Sequence, residues 1–244
     1  MIEVSEVTKD FGYVHALRKV NLKIKTGEFV TIVGPSGCGK STLLRIIAGI
    51  ATPTGGSIKK PDASKGAFVF QDAALLPWRT VQKNAELLME LEDGFSKGER
   101  VSKASSALQQ VGLKGFENSY PHQLSGGMKM RLSLARSLVL SPEYLLLDEP
   151  LSAVDELTRE VLQEEIYALH KKELFTSILV THNVPEAVYL SNRVVILSSR
   201  PGRVTHIVKI PFNGRNQKLR SSPKFHKLVN DISGKLRTWK GKND

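Results

Sequence analysis

A single cysteine, Cys38, stands among the 244 residues, so no intrachain disulfide framework can form, and the chain is expected to work in a reducing compartment without redox chemistry. Long apolar runs are equally scarce. The segments around Ile46 and Ile47 and at Leu145-Leu146-Leu147 fall far short of the about 20 residues that a membrane-spanning helix needs. No segment is therefore expected to cross a bilayer. The first residues, Met1-Ile2-Glu3-Val4-Ser5-Glu6, lack a basic stretch followed by an apolar one, so the protein is expected to stay where it is made. Low-complexity tracts and fixed-period repeats are also missing, which removes the disordered and solenoid classes.

What is present is ordinary globular composition, 41% apolar and 24% charged, in a chain longer than the roughly 100–200 residues of a typical domain. Acidic residues fall short of basic ones, 24 against 35, leaving a formal charge of +11. Most of that excess sits in one place. Between Pro211 and Asp244 lie Arg215, Lys218, Arg220, Lys224, Lys227, Lys235, Arg237, Lys240 and Lys242 against only Asp231 and Asp244. Such a segment reads as a solvated tail, as a surface drawn to anionic lipid headgroups, or as a contact for nucleic acid. Lys224 to Trp239 has the spacing of an amphipathic helix with Phe225, Leu228, Val229, Ile232 and Leu236 on one face, and packing onto the core is the preferred reading of that face.

Val4 to Val7 and the alternating Leu22-Lys23-Ile24-Lys25 predict half-buried strands, and Thr26-Gly27-Glu28 a turn. The run Phe29-Val30-Thr31-Ile32-Val33 is short and β-branched, as a strand buried on both faces should be. A glycine-rich loop follows, then Leu43, Leu44, Ile46 and Ile47 at helical spacing. Further apolar runs at 68–70, 144–147, 178–180 and 194–197 imply a largely parallel sheet with helices between its strands. From about 81 to 140 no strand is evident, while Leu87, Leu88, Leu91, Leu108, Val111, Leu132, Leu134 and Leu138 recur at helix-like intervals. The expectation is an α/β core from about 1–80 and 141–210, an inserted helical subdomain at about 81–140, and a basic tail at about 211–244.

Gly34-Pro35-Ser36-Gly37-Cys38-Gly39-Lys40-Ser41 fits G-x-x-x-x-G-K-[ST] between a strand and a helix, the context this phosphate-binding loop requires. Its glycines let backbone N–H groups turn inward around phosphates, and the helix behind adds about half a positive charge. Lys40 is the cation for the β- and γ-phosphates of ATP, and Ser41 offers a hydroxyl to Mg²⁺. Cys38, near the helix N-terminus, is expected to have a lowered thiol pKa and to react with thiol reagents unless ATP protects it. Farther on, Tyr144-Leu145-Leu146-Leu147-Asp148-Glu149-Pro150 is an apolar strand ending in two carboxylates at the sheet edge where ligands bind. Asp148 is assigned to Mg²⁺, and Glu149 to the attacking water as general base.

These features leave kinases, GTPases and helicases open. Leu124-Ser125-Gly126-Gly127-Met128, opening an apparent helix before the acidic strand, resembles the signature motif of ABC ATPases. The chain is identified as a member of that family over roughly Ile2 to Val208: an α/β P-loop NTPase with a mostly parallel sheet core, an antiparallel β part and an inserted helical subdomain. The resemblance implies that Ser125, Gly126 and Gly127 of one subunit close on the γ-phosphate held by the partner's loop, burying two ATP in a two-fold homodimer. It also implies that the nucleotide-contacting stretch runs from Gly34 to Thr42. Phe11 would stack on adenine, Gln71 would contact Mg²⁺ and sense a permease, Asp155 would end a loop crossing to the partner, and His182 would contact the γ-phosphate and support Glu149.

The segments Leu75 to Val81, Ser125 to Met128 and Val194 to Arg203 resemble the importers of nitrate, sulfonates and taurine. That subgroup implies a transmembrane permease, an external solute-binding protein, a position on the cytoplasmic face of the membrane, and no nucleic acid partner. Met128 stands where the wider family has glutamine, and Met130 and Asn183 where the subgroup has Gln and Asp. The rival readings are an ABC-type ATPase acting on nucleic acid, a regulatory or assembly ATPase without a permease, and a nucleotide-binding scaffold without turnover.

Overall fold

The computed structural model describes residues 1–61 and 66–237. Strands β1 (Ile2–Phe11) and β2 (Val14–Ile24) form a hairpin, and β3 (Phe29–Val33) follows the turn at Gly27. Next come α1 (Lys40–Ala48), β4 (Gly55–Lys59) and β5 (Gly66–Val69). The stretch 81–140 holds α2 (Val81–Leu91), α3 (Lys97–Gln110) and α4 (Gly126–Leu138), and no strand. After them run β6 (Tyr144–Asp148), α5 (Glu156–Glu173), β7 (Thr176–Val180), α6 (Val184–Leu190), β8 (Arg193–Leu197) and β9 (Val204–Lys209), then α7 (Gln217–Arg220) and α8 (Pro223–Arg237).

Among the described residues nine strands make two sheets. A three-stranded antiparallel sheet has the order β2-β1-β4, and a six-stranded sheet the order β5-β6-β7-β3-β8-β9. The larger sheet is parallel except for β9, which runs antiparallel to β8. This is the expected α/β class with an antiparallel part. Strands β4 and β9 are the ones the sequence concealed; neither has a fully buried residue, and their few apolar residues are mixed with glycine or polar ones, so neither carries the apolar run that marks the central strands.

The uninterrupted apolar strands have a simple cause: both faces are covered. In β3, Phe29 and Val33 pack into a core shared with α4, α5, α6 and α8, while Val30 and Ile32 face a second core shared with α1 and the small sheet. Leu145 and Leu147 of β6 divide from Tyr144 and Leu146 in the same way. Period-two alternation thus persists although nearly every position is apolar. Helices α2, α3 and α4 pack on one another, and α4 continues onto β5 and α5. Their apolar residues, among them Ala85, Met89, Leu108 and Leu134, belong to the first of these two cores.

The amphipathic helix expected at the C-terminal end is α8, with Phe225 and Ile232 buried and Leu228, Val229 and Leu236 against the core. Its apolar face is covered by the protein, chiefly α6. The expected continuation to Trp239, with Lys240 and Lys242, lies outside the described residues. No helix among the described residues is long and apolar enough to cross a membrane.

Candidate functional site

The site is assembled by strand register. Strands β6, β7 and β3 are adjacent and parallel, so their carboxyl ends emerge together. Asp148 is opposite Val180, and the chain keeps this pairing one step further through Glu149 N–H donating to Val180 O at 2.9 Å. The residues after each strand, 34–39, 149 and 182, are therefore neighbours in space though far apart in sequence. Ligands bind at such carboxyl edges of open α/β sheets.

The loop after β3 ends at Gly39, the N-cap of α1, with φ of +100° and no side-chain capping bond. A Cβ there would lie 2.8 Å from Ala16 O and from the Leu17 side chain. Only glycine gives both the left-handed turn and the close approach of β2. Lys40 begins the helix almost fully buried, its ammonium donating to Gly34 O and Pro35 O at 3.1 Å each. The cation thus sits inside the loop beside the helix N-terminus, where free N–H groups favour an anion. Thr42 lies in the first turn of α1.

Asp148 is buried and accepts a hydrogen bond from Ser41 Oγ at 2.7 Å. Burial pushes its carboxyl above the ordinary range, and the Ser41 hydroxyl and the cations Arg45 and Lys40 oppose that shift. One residue on, Glu149 has φ of +46°, unusual for a residue with a side chain. Its carbonyl is held by Ser152 N–H and Oγ, and its Oε2 meets His182 Nδ1 at 2.8 Å. A strained backbone held by its surroundings at the end of a strand, with its carboxylate paired to an exposed imidazole, suits a group that must orient water.

Gln71, after β5, lines a cavity of about 590 Å³ together with Ser41, Arg45, Asp148, Gly126, Lys129 and Met130. Arg136 of α4, itself buried, reaches back to donate to Ala73 O and Ala74 O at 2.8 and 2.9 Å, fixing the loop that follows Gln71. Gly126 and Gly127 open α4, and the Ser125 hydroxyl caps it by accepting from Met128 N–H at 3.3 Å. A Cβ at Gly127 would meet Thr158 Cγ2 at 2.7 Å, so glycine is needed where α4 crosses α5. Ser125 makes no hydrogen bond or ion pair with the 34–41 loop of its own chain among the described residues.

Asp155 is engaged as the N-cap of α5, accepting from Thr158 N–H at 3.0 Å, and those bonds lower its pKa. Phe11 is about half exposed at the end of β1, with Lys9 Nζ 4.8 Å from its ring centre. Asn183 caps α6, its Oδ1 accepting Glu186 N–H at 2.8 Å, a task an aspartate would also perform. Met128 packs against the core and Met130 is buried.

One expectation is overturned. Cys38 is 1% exposed, and burial raises its thiol pKa rather than lowering it, outweighing the nearby Lys40 charge. Being near a helix N-terminus does not activate a thiol that is out of water. Sequence reasoning also passed over Arg45, Arg136 and Arg200. Arg45 stands four residues after Ser41, one helical turn away on the same face, which was a readable signal. Arg200 donates Nε–H to Gly37 O at 3.1 Å, a contact across 163 positions that no local pattern announces.

The donor set suits MgATP: a buried ammonium satisfied only by loop carbonyls, a helix N-terminus, and a hydroxyl beside a carboxylate, the hard oxygen ligands magnesium takes. The ABC transporter family model matches residues 17–152. An uncharacterised ABC transporter ATP-binding protein of Methanocaldococcus jannaschii is 49% identical, over 86% of this chain and 82% of its own length. A nitrate import ATP-binding protein of Synechocystis is 42% identical over 97% of this chain and 95% of its own, and an aliphatic sulfonates import ATP-binding protein of Bacillus cereus 42% over 86% and 87%. A solved dimeric ATP-binding cassette in a post-hydrolysis state with ADP and phosphate superposes with a TM-score of 0.76, 35% identity, 87% of this chain and all of that one. On this combined ground the chain belongs to the ABC transporter family as an ATP-binding subunit that hydrolyses ATP.

Proposed function

We propose that two copies of this chain close with two-fold symmetry around two MgATP, and that closure drives a separate permease importing a small solute of the nitrate, sulfonate and taurine class. The observation that carries the reading is a division of parts within one chain. The loop 34–41, Asp148, Glu149 and His182 converge, whereas the capped N-terminus of α4 at Ser125 is a second anion cradle with no bond to that loop. A second copy supplies the missing half, as the two-fold symmetry of a homodimer allows.

In this arrangement Lys40 and the loop amides hold the β- and γ-phosphates, and Phe11 stacks on adenine. Ser41, Asp148 and Gln71 are the groups that would hold Mg²⁺, which when bound neutralises phosphate charge. Glu149 accepts a proton from the attacking water while the water oxygen bonds to the γ-phosphorus and the bond to the β–γ bridging oxygen breaks, releasing ADP. His182 holds the Glu149 carboxylate and faces the γ-phosphate. Ser125, Gly126, Gly127 and the loop ending at Asp155 act across the interface on the partner's nucleotide.

The solute class rests on the nitrate import relative. The permease docks beside Gln71 and Leu75 to Trp78, on the cytoplasmic face of the membrane, and an external solute-binding protein delivers the cargo. Trp78 is largely exposed there, as a docking residue should be. The test is the solution mass of Glu149→Gln protein with and without MgATP, alone and with Ser125→Arg. A shift from monomer to dimer that Ser125→Arg abolishes supports the composite site. ATP binding with no dimer, even when the permease is added, overturns it.

A further inference from the structure

We propose that Glu186 is a positioning residue that sets His182 against Glu149, acting through Thr181 and Asn183. The inference rests on the pairing of His182 with Glu149 described above, and extends it to a residue outside the nucleotide site. Glu186 lies in the first turn of α6 and is 3% exposed. Its Oε2 is bonded to the Thr181 hydroxyl, and its own N–H donates to Asn183 Oδ1 at 2.8 Å. Thr181 Oγ1 in turn accepts Asn183 N–H at 3.0 Å. Thr181, before His182, is thus tied directly to the buried carboxyl, and Asn183, after it, is tied through the Thr181 hydroxyl and through its cap bond to the Glu186 N–H, so the turn that aims the imidazole has little freedom left.

A buried carboxyl is an expensive peg for a loop, which is a reason to look for what it does. Its Oε1 is buried with no hydrogen-bond partner among the described residues. Burial pushes its pKa up to about 7, with Thr181, Arg159 of α5 and His182 pulling it down and Glu149 pushing it up. The charged groups acting on it are Arg159, His182 and Glu149, and the last two are the catalytic pair. Arg159 is itself anchored to Leu151 O and Val154 O in the loop leading to Asp155. Glu186 therefore stands between the histidine turn and the partner-facing loop, and gains or loses its charge near neutral pH.

A helix cap alone would account for Asn183, but not for a carboxylate wedged behind it. If Glu186 works only as filler, its removal should cost stability and leave the chemistry to His182 and Glu149 as before. If it positions His182, its removal should cost nothing more once His182 is gone. A double-mutant cycle separates the two.

The experiment measures kcat and KM for MgATP in wild type, Glu186→Ala, His182→Ala and the double variant, with thermal melts as a folding control. The expected result is a fall in kcat of about tenfold or more for Glu186→Ala, as for a weakened general-base pair, with KM changed less than about twofold because Lys40 and the loop are untouched. The double variant should fall no further than His182→Ala. A full additional loss in the double variant would overturn this proposal alone. Unchanged hydrolysis in His182→Ala would overturn it together with the catalytic pairing. Should Glu186→Ala not fold, Glu186→Gln keeps the shape and the acceptor for Thr181 while removing the charge. Its kcat against pH should then move its midpoint by about half a unit or more relative to wild type, and a superimposable profile would overturn the proposal.

Discussion

Two helix N-termini in this molecule make nearly the same offer to an anion. Helix α1 starts at Gly39 with no side-chain cap, α4 starts at Ser125 with its hydroxyl on Met128 N–H, and neither has an acidic residue in its first turn. Both present free backbone N–H groups and the positive end of a helix. What surrounds them differs. At α1 a buried ammonium, two strand-end carboxylates and a histidine converge within hydrogen-bonding distance of one another or of the loop. At α4 Gly127 serves the close approach of α5, and among the described residues the cap is the only side-chain hydrogen bond of Ser125. A helix end is therefore half a site, and the sheet edge beside α1 supplies the other half.

The sharpest way to break this contrast is to remove the chemistry from the α1 side. Glu149→Gln should lower phosphate release about 10²–10⁴-fold, as loss of a general base does, with MgATP affinity by calorimetry essentially unchanged. Near-normal turnover would remove Glu149 from its role. Lys40→Ala comes next. It removes charge-assisted bonds worth about 1.5–3 kcal/mol, so MgATP should bind about 10–100-fold more weakly, while the α4 cradle stays intact.

On the α4 side the expected effects are smaller. Ser125→Ala removes a helix cap and should cost about 1 kcal/mol, lowering the melting midpoint by about 2–4 °C in a chain of this size. It should leave the affinity of monomeric protein for ATP unaltered; a drop equal to that of Lys40→Ala would mean that both helix ends serve one nucleotide in one chain. The least effect is expected at Cys38. A maleimide at pH 7 should fail to label the folded protein and label it after unfolding, by intact mass, and ready labelling blocked by ATP would restore the reactive-thiol reading.

Much of the α1 side was legible because its parts are contiguous. The loop 34–41 and the strand end 144–149 each carry their residue types in a fixed local order between recognisable elements. His182 and Gln71 were reached only through family resemblance, since a lone histidine or glutamine after a strand has no local mark. Cys38 was misjudged because sequence shows proximity to a helix end and not burial, and burial won. Arg136 carried no local mark, since α4 also holds Lys129 and Arg131, and its partners at Ala73 and Ala74 lie more than sixty positions away.

The sequence by itself determined the central apolar strands and the helices between them, the phosphate loop and the acidic strand end, because periodicity and short motifs are local properties of the chain. Tertiary structure alone decided which ends meet. The parallel register of β6 and β7 carries Glu149 to His182, the close approach of α4 to α5 requires glycine at Gly127, and burial raises the pKa of Cys38, Asp148 and Glu186. Pairing register and desolvation depend on residues distant in sequence, which is why no motif could state them in advance.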